Sequence, residues 1–512
     1  MASRPGGWYR WYALGLLAAI NILNYLDRNV IFALFEPIKR DLGLSDTQLG
    51  WLGSAYILVF SVAALPFGVL SDLRSRRAVI AVGVGVWSAF TSLAGLVRSY
   101  TQLFVCRAAV GIGEAAFGPA STALVAEYFA GERRAFAMGI LSAGISLGGV
   151  LGIWLGGQLE ALYGWRVAFM AVGIPGFLLA LLAGRLQDPG RPSGPLRVWR
   201  LLKRFEVGLA KVVRQFHPLL LLAVMGGFAA WWADRHYGAS SQVDAAVFAT
   251  AIAVGLALNI AWWLLQIRRQ RIADTPFGPQ VTGPMEDALQ ELVGAGRVVF
   301  RTRTLVYVFL AGAMISFGLN GLVGWGPTFA TRELGWTAAE AAKRLGAAGL
   351  VVGTLGTLAG GLIADWLRRY TDASRVITTA AGLLIGGPLA FWTLTVRDPA
   401  LFVPLFSAAF FFLTWYNGPL SAVIFDVVPA RIGATVVGAY LLFIHLAGDA
   451  IAFPLIGTLS DKFGIDRAVL LLPVVAGAGG LVILAAARYV RGDAARAALP
   501  TGEYQAIQGI GR

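Results

Sequence analysis

Apolar stretches of roughly 17–27 residues, each sufficient for a helix to cross a hydrocarbon core of about 30 Å, recur from end to end of this 512-residue chain. That repetition predicts an all-α polytopic membrane protein. The expected spans are 11–35, 47–70, 78–97, 102–128, 135–159 and 166–186, then 217–233 and 245–267, then 304–330, 345–364, 375–396, 400–427, 434–459 and 467–489. The total is about fourteen transmembrane helices. Arg4 and Arg10 ahead of Trp11–Ile20 could mimic a signal peptide, but the apolar run continues without a small-residue cleavage site and reads as the first span.

Hydrophobic residues make up 57% of the chain and charged residues 14%, against about 45–50% and 25% in a soluble domain. The net charge of +14 does not point to nucleic acid, because the basic residues are scattered through short segments between apolar runs. Membrane orientation explains them better: 29 of the 42 Lys and Arg fall in one alternating set of loops and tails, which places both termini in the cytoplasm. The absence of an Asn-X-Ser/Thr sequon favours a prokaryotic source, hence a bacterial inner membrane. Cys106, the single cysteine, lies inside an apolar run and reads as an inert buried thiol.

Four ionisable side chains stand where lipid would exclude them: Asp27 and Arg28 in the first span, Arg107 and Glu114 in the fourth. Intramembrane charges mark a path for protons, ions or substrate. At 1.5 Å per residue, Asp27 and Arg107 fall at similar depth, with Glu114 slightly deeper, and Arg107, Gly111 and Glu114 share one helix face. The expectation is an outer-half cluster lining a cavity. An aspartate facing an arginine stays ionised until the cavity dries or an anion occupies the arginine, and then it can take up a proton. The competing reading is a permanent set of pairs that merely holds helices together. His445 and Asp449, one turn apart, form a second candidate for proton binding, or a simple interhelical hydrogen bond. Asn24 and Tyr25 flank the first pair, and Asn320, Trp325, Trp415, Tyr416 and Asn417 are candidates to line the opposite side.

The chain also repeats itself. Gly68-Val69-Leu70-Ser71-Asp72 runs into Arg74, Arg76 and Arg77, and Gly361-Leu362-Ile363-Ala364-Asp365 runs into Arg368 and Arg369. Gly157, Leu159, Gly164 and Ala168 return 300 residues later as Gly457, Leu459, Gly464 and Ala468. The reading is two six-helix bundles, 1–186 and 304–489, with substrate held between them. A linker region, 187–303, holds an inserted two-helix hairpin at about 217–267, and a cytoplasmic tail covers 490–512. Basic stretches beside the hairpin are suited to lying along anionic lipid, or to solvated linkers.

These residues resemble the major facilitator superfamily: Gly68–Arg77 and Asp365–Arg369 are similar to its paired signature loops, and Arg107–Glu114 to its fourth-helix motif. Asn24-Tyr25-Leu26-Asp27-Arg28, Gly111–Ala115, Gly164–Phe169 and Gly448-Asp449 resemble the spinster-like transporters. The resemblance implies a major facilitator fold, a monomer, and an amphiphilic lysolipid- or sphingolipid-like substrate, often with proton coupling. In that reading Asp27, Glu114, His445 and Asp449 handle protons, and Arg28, Arg107, Asn24, Tyr25, Asn320, Trp415 and Asn417 contact substrate. Gly68, Asp72, Arg76, Arg77, Asp365 and Arg368 gate the inner side. The organic anion–cation symporters share the first-helix and fourth-helix motifs, so small organic anions are the alternative substrate class. A drug exporter and a non-transporting membrane sensor are the further alternatives. No nucleophile–base pairing, metal-ligand spacing or phosphate-binding Gly-Lys-Ser/Thr loop occurs, so neither an enzyme nor a cofactor is expected.

Overall fold

A computed structural model of the chain describes residues 7–73, 75–129, 133–188 and 298–499, with isolated helical positions elsewhere. The first half comprises α1 (Gly7–Ala33), α2 (Phe35–Leu42), α3 (Asp46–Leu73), α4 (Arg76–Ala94), α5 (Tyr100–Ala115), α6 (Phe117–Tyr128), α7 (Arg133–Tyr163) and α8 (Trp165–Gly184). The second comprises α9 (Arg303–Glu333), α10 (Ala338–Leu367), α11 (Ser374–Thr395), α12 (Pro399–Leu413), α13 (Asn417–Val427), α14 (Ala430–Ile444), α15 (Ala450–Phe463), α16 (Ile465–Ala468) and α17 (Leu471–Ala486). A short α18 (Val490–Ala497) follows. Among the described residues, ten helices are long and apolar enough to cross a membrane. α1 and α3 are as long, at 27 and 28 residues. The expected hairpin at 217–233 and 245–267 lies outside the described residues, apart from isolated helical positions there.

Helix ends follow local chemistry. α3 starts at a capping box in which Gln48 N donates to Ser45 Oγ at 3.2 Å and Ser45 N donates to Gln48 Oε1 at 2.9 Å. α10 starts at the matching box of Thr337 and Glu340. That box begins α10 at Ala338, seven residues before the expected 345, because apolar periodicity misses a polar first turn. Thr337→Ala should cost about 1 kcal/mol, read as a lower unfolding temperature by tryptophan fluorescence. Both halves turn on a glycine in the left-handed region, Gly164 at φ 82° and Gly464 at φ 88°. In both, an arginine opening one helix pairs with an acid ending the second helix after it: Arg76 of α4 with Glu127 of α6, Arg375 of α11 with Asp426 of α13.

The apolar cores show how the halves join. One core belongs to the first half alone (Leu14, Trp87, Phe117, Leu124) and one to the second alone (Leu305, Leu383, Val423, Ile483). A third takes side chains from both: Phe32, Phe35, Leu52, Trp325, Phe329 and Phe453. It lies toward the end of the molecule that carries α2 and the α9–α10 turn, called here the closed end. Small residues permit the approach. A Cβ at Gly457 would lie 2.2 Å from the Asp46 carbonyl oxygen, and one at Gly157 would lie 2.9 Å from that of Ala338. The repeated glycines thus sit at two equivalent seams, α15 against the start of α3 and α7 against the start of α10. A proline adds a bond to the first seam. Pro454 has no N–H to offer the carbonyl of Ala450, and that carbonyl accepts from Ser54 Oγ of the other half at 2.9 Å.

Candidate functional site

Helix α1 is set in place by a glycine stripe on α7. A Cβ at Gly148 would lie 2.3 Å from the Ile22 carbonyl oxygen, one at Gly152 would lie 2.4 Å from that of Leu26, and Gly144 and Gly156 continue the line against Asn21 and Val30. Spaced four apart, these residues let two backbones touch. Asn21 Nδ2 adds a bond to the Leu141 carbonyl at 2.7 Å. On the other side, Gly111 of α5 lies against the Tyr56 carbonyl of α3, and Gly113 of α5 against Gly83 of α4. Four helices therefore meet closely around residues 24–28.

The four intramembrane charges come together there as two crossed pairs. Arg107 Nη1 donates to Asp27 Oδ1 at 3.2 Å, and Arg28 Nε donates to Glu114 Oε2 at 2.6 Å. Thr91 of α4 donates its hydroxyl to Asp27 Oδ2 at 2.5 Å. The Arg28 guanidinium lies 4.7 Å from the ring centre of Tyr25, 5.7 Å from that of Tyr56 and 4.5 Å from that of Phe60; Arg107 lies 5.5 Å from Tyr56. Such faces hold a cation without neutralising it. The expectation that these residues line a cavity is corrected by burial: Asp27 and Glu114 are 1% exposed, Arg107 0% and Arg28 9%. In this structure the close helix crossings bury the cluster inside the first half. Some polar capacity remains unused: Arg107 Nε and Nη2, Glu114 Oε1 and Asn24 Nδ2 are buried without a hydrogen-bond partner.

The second half holds a smaller polar group. His445 Nδ1 lies 2.9 Å from Asp449 Oδ2, Ser316 donates its hydroxyl to Asp449 Oδ1, and Asn320 Nδ2 donates to Ser316 Oγ at 3.1 Å. Residues His445–Asp449 form a π turn, a wider, under-wound turn frequent at functional positions. Asp449 is within electrostatic reach of Tyr416 and of Tyr56, which also faces Arg28 and Arg107. Tyr56 thus stands between the two polar groups.

Other expected lining residues go elsewhere. Trp415 packs on Gly360 and Gly382 inside the second bundle, and Asn417 donates to Thr357 Oγ1 at 3.0 Å on an exposed face. Trp325 is fully buried in the shared core, its Nε1 donating to the Phe453 carbonyl at 3.3 Å. A small cavity of about 20 Å³ among Leu322, Phe329, Leu345, Phe402, Phe406 and Phe410 lies in the second half. Its one hydroxyl, on Thr393, is turned to the Leu389 carbonyl.

Of the gating candidates, Gly68 and Asp72 fall in the last turns of α3, where the side chains lie outside the described residues. Arg76 pairs with Glu127 and Arg77 donates to the Leu186 carbonyl at 3.3 Å, both within the first half. Asp365 is exposed, and Arg368 lies 3.9 Å from Asp426.

A carboxylate on a facing helix N-terminus is present at the closed end. Asp461 accepts from Asp46 N and Thr47 N, each at 2.8 Å, and from Thr47 Oγ1 at 2.6 Å. Asp46 in turn accepts from Arg332 Nη1 at 2.6 Å and Nη2 at 2.8 Å, from Ser460 Oγ at 2.5 Å and from Lys39 Nζ at 2.5 Å. Arg332 also binds Glu36 at 2.6 Å. Sequence reasoning missed this group because loop charges read as ordinary solvated residues. The Ser45–Gln48 capping box was the available signal that a helix start there was fixed.

The Major Facilitator Superfamily model matches residues 17–243 and 238–448. An MFS-type efflux pump of Mycolicibacterium smegmatis is 28% identical over 503 residues, 96% of each chain. The protein spinster of Drosophila melanogaster is 27% identical over 230 residues, covering 44% of this chain and 38% of that one. A probable L-galactonate transporter of Escherichia coli is 32% identical over 169 residues, 33% of this chain and 37% of that one. Among solved structures, a bacterial homologue of the human lysosomal transporter spinster, inward-facing and unoccupied, superposes with a TM-score of 0.69 at 22% identity, over 96% of this chain and 99% of that one. The chain is an integral membrane transporter rather than an enzyme, and it belongs to the major facilitator superfamily.

Proposed function

We propose that this transporter couples protons to the movement of an amphiphilic substrate with an anionic head, by alternating access, and that Arg107 receives the head. The observation that carries this reading is the unused edge of Arg107. Nη1 is committed to Asp27, while Nε and Nη2, which lie side by side on the guanidinium, are buried and unpartnered. Two parallel N–H groups match a carboxylate or phosphate bidentately. Buried donors without partners are costly, so an oxyanion arriving there gains more than it would at a satisfied arginine.

Asp27 and Glu114 are the primary proton sites and the His445–Asp449 pair a secondary one, reached across Tyr56. The positive-inside bias supports placing the closed end outside, which favours an inward-facing reading of a bacterial inner-membrane protein with both termini cytoplasmic. Lysolipid- or sphingolipid-like molecules fit an anionic head beside extensive apolar surface. Export of small organic anions or drugs is the second reading, favoured by the match to an efflux pump along nearly the whole chain.

Proteoliposome uptake of lysophosphatidylglycerol and of galactonate, each with and without an imposed pH gradient, tests the proposal. Arg107→Lys keeps the charge but removes the paired donors, and should lower uptake at least tenfold, from a loss of about 2–5 kcal/mol. Full gradient-driven uptake by that variant would sink the assignment.

A further inference from the structure

We propose that the helix made of α14 and α15 is jointed at the π turn His445–Asp449, so that α15 travels with the first half and α14 with the second. This rests on alternating access as proposed above, and it sets the mechanical boundary inside a helix rather than in the linker.

By chain order α15 belongs to the second half, but its hydrogen bonds run to the first. Asp461 accepts from Asp46 N and Thr47 N, each at 2.8 Å, and from Thr47 Oγ1 at 2.6 Å. Ser460 Oγ donates to Asp46 at 2.5 Å, and the Ala450 carbonyl accepts from Ser54 Oγ at 2.9 Å. The backbones touch as well: a Cβ at Gly50 of α3 would lie 2.3 Å from the Phe453 carbonyl oxygen and 2.6 Å from the Pro454 Cα. Among the described residues, the bond from Trp325 Nε1 to the Phe453 carbonyl, at 3.3 Å, is the one side-chain hydrogen bond between α15 and another helix of its own half.

The bonds of α14 run the opposite way. Tyr440 lies against Gly312 of α9, with its ring centre 5.4 Å from that of Phe309, and Phe443 lies 5.6 Å from Phe309. The π turn stays with α14. A Cβ at Gly448 would lie 2.8 Å from the Ala313 carbonyl oxygen, and Asp449 accepts from Ser316 of α9. The attachment therefore changes sides between Asp449 and Ala450.

The backbone is weak at that place. In the π turn, Ala450 N reaches back to the His445 carbonyl, one residue further than in an α-helix. Pro454 then leaves the Ala450 carbonyl without a helical donor. Sharp helix bends occur at such turns and at prolines. Carrying α15 away with the second half would break the charge-assisted bonds to Asp461 and Asp46 together, whereas bending here breaks none of them. Asp449 clamps the joint through His445 and Ser316, so whatever occupies that carboxylate sets how freely the joint bends.

Spin-label distances in the full chain, in lipid nanodiscs, test this without a substrate. Leu96→Cys, Leu401→Cys and Leu455→Cys, at exposed positions of the first half, the second half and α15, are labelled in pairs in a Cys106→Ala background. Arg332→Ala unties α9 from Glu36 and Asp46. It should lengthen Leu96–Leu401 and Leu401–Leu455 together and leave Leu96–Leu455 unchanged. Adding Ser316→Ala, which unclamps Asp449, should lengthen the first two further and again spare the third. Arg332→Gln, a milder change, should give a smaller shift of the same pattern. A Leu96–Leu455 distance that lengthens overturns the joint, and so do three distances that hold in every variant. Absence of gradient-driven uptake in the wild type would instead overturn the transport reading, while the distances judge the joint by themselves.

Discussion

Asp46→Ala should release the closed end. That carboxylate is 2% exposed and receives Arg332, Ser460 and Lys39, so its removal leaves a cation from each half without its main acceptor. Breaking a buried pair from one side costs about 3–5 kcal/mol, enough to move a two-state equilibrium by about two to four orders of magnitude. Spin labels at the exposed positions Leu96 and Leu401, on opposite halves, should report longer distances in the variant than in the wild type. An unchanged distance distribution would mean that the shared apolar core alone keeps this end shut. Asp46→Asn should fall between the two, since an amide oxygen can still accept from one donor.

Gly152→Leu should be the most damaging single change in the first half. Even a Cβ at this position would lie 2.4 Å from the Leu26 carbonyl oxygen and 3.0 Å from its Cα, and backbone cannot step aside as a side chain can. α1 and α7 would have to separate, at a cost of about 3 kcal/mol or more. The displacement would fall on Leu26, next to Asp27, and draw that carboxylate away from Arg107 and Thr91. Thermal unfolding in detergent should show a fall of many degrees, with substrate binding lost before the fold. Gly139→Ala on the same helix is the control: its Cβ would meet nothing within 4 Å, and stability should hold. Equal loss in both variants would mean that the contact with Leu26 is not the cause, since Ala and Leu both favour helix over Gly.

Much of this architecture was legible because lipid imposes a length and an apolar character on each helix. The ten candidate spans, and the long helices α1 and α3 with them, lie within a few residues of the apolar runs, and α10 departs further only because its first turn is polar. The charge cluster was legible for a related reason. A charge inside an apolar run has few places to go, and rise per residue fixes its depth. Which arginine meets which acid was not legible, since that depends on rotation of α1 against α5, set by the glycine contacts at 111, 148 and 152. Thr91 was hidden too, because one threonine in a membrane helix more often bonds its own backbone. The closed-end ion group could not be read from single loops, because its members come from residues 36–47, 332 and 460–461.

The two seams between the halves share a glycine-on-backbone geometry but not a chemistry. Where Asp461 grips the first turn of α3, the equivalent place on α7 is Ala161, and α10 is capped by its own Glu340. One seam is therefore riveted and the other merely greased. Forces that part the halves meet unequal resistance, so the closed end should swing open like a door, hinged along α3 and α15 and free along α7 and α10. Material entering from that side would arrive past α7 and α10 first.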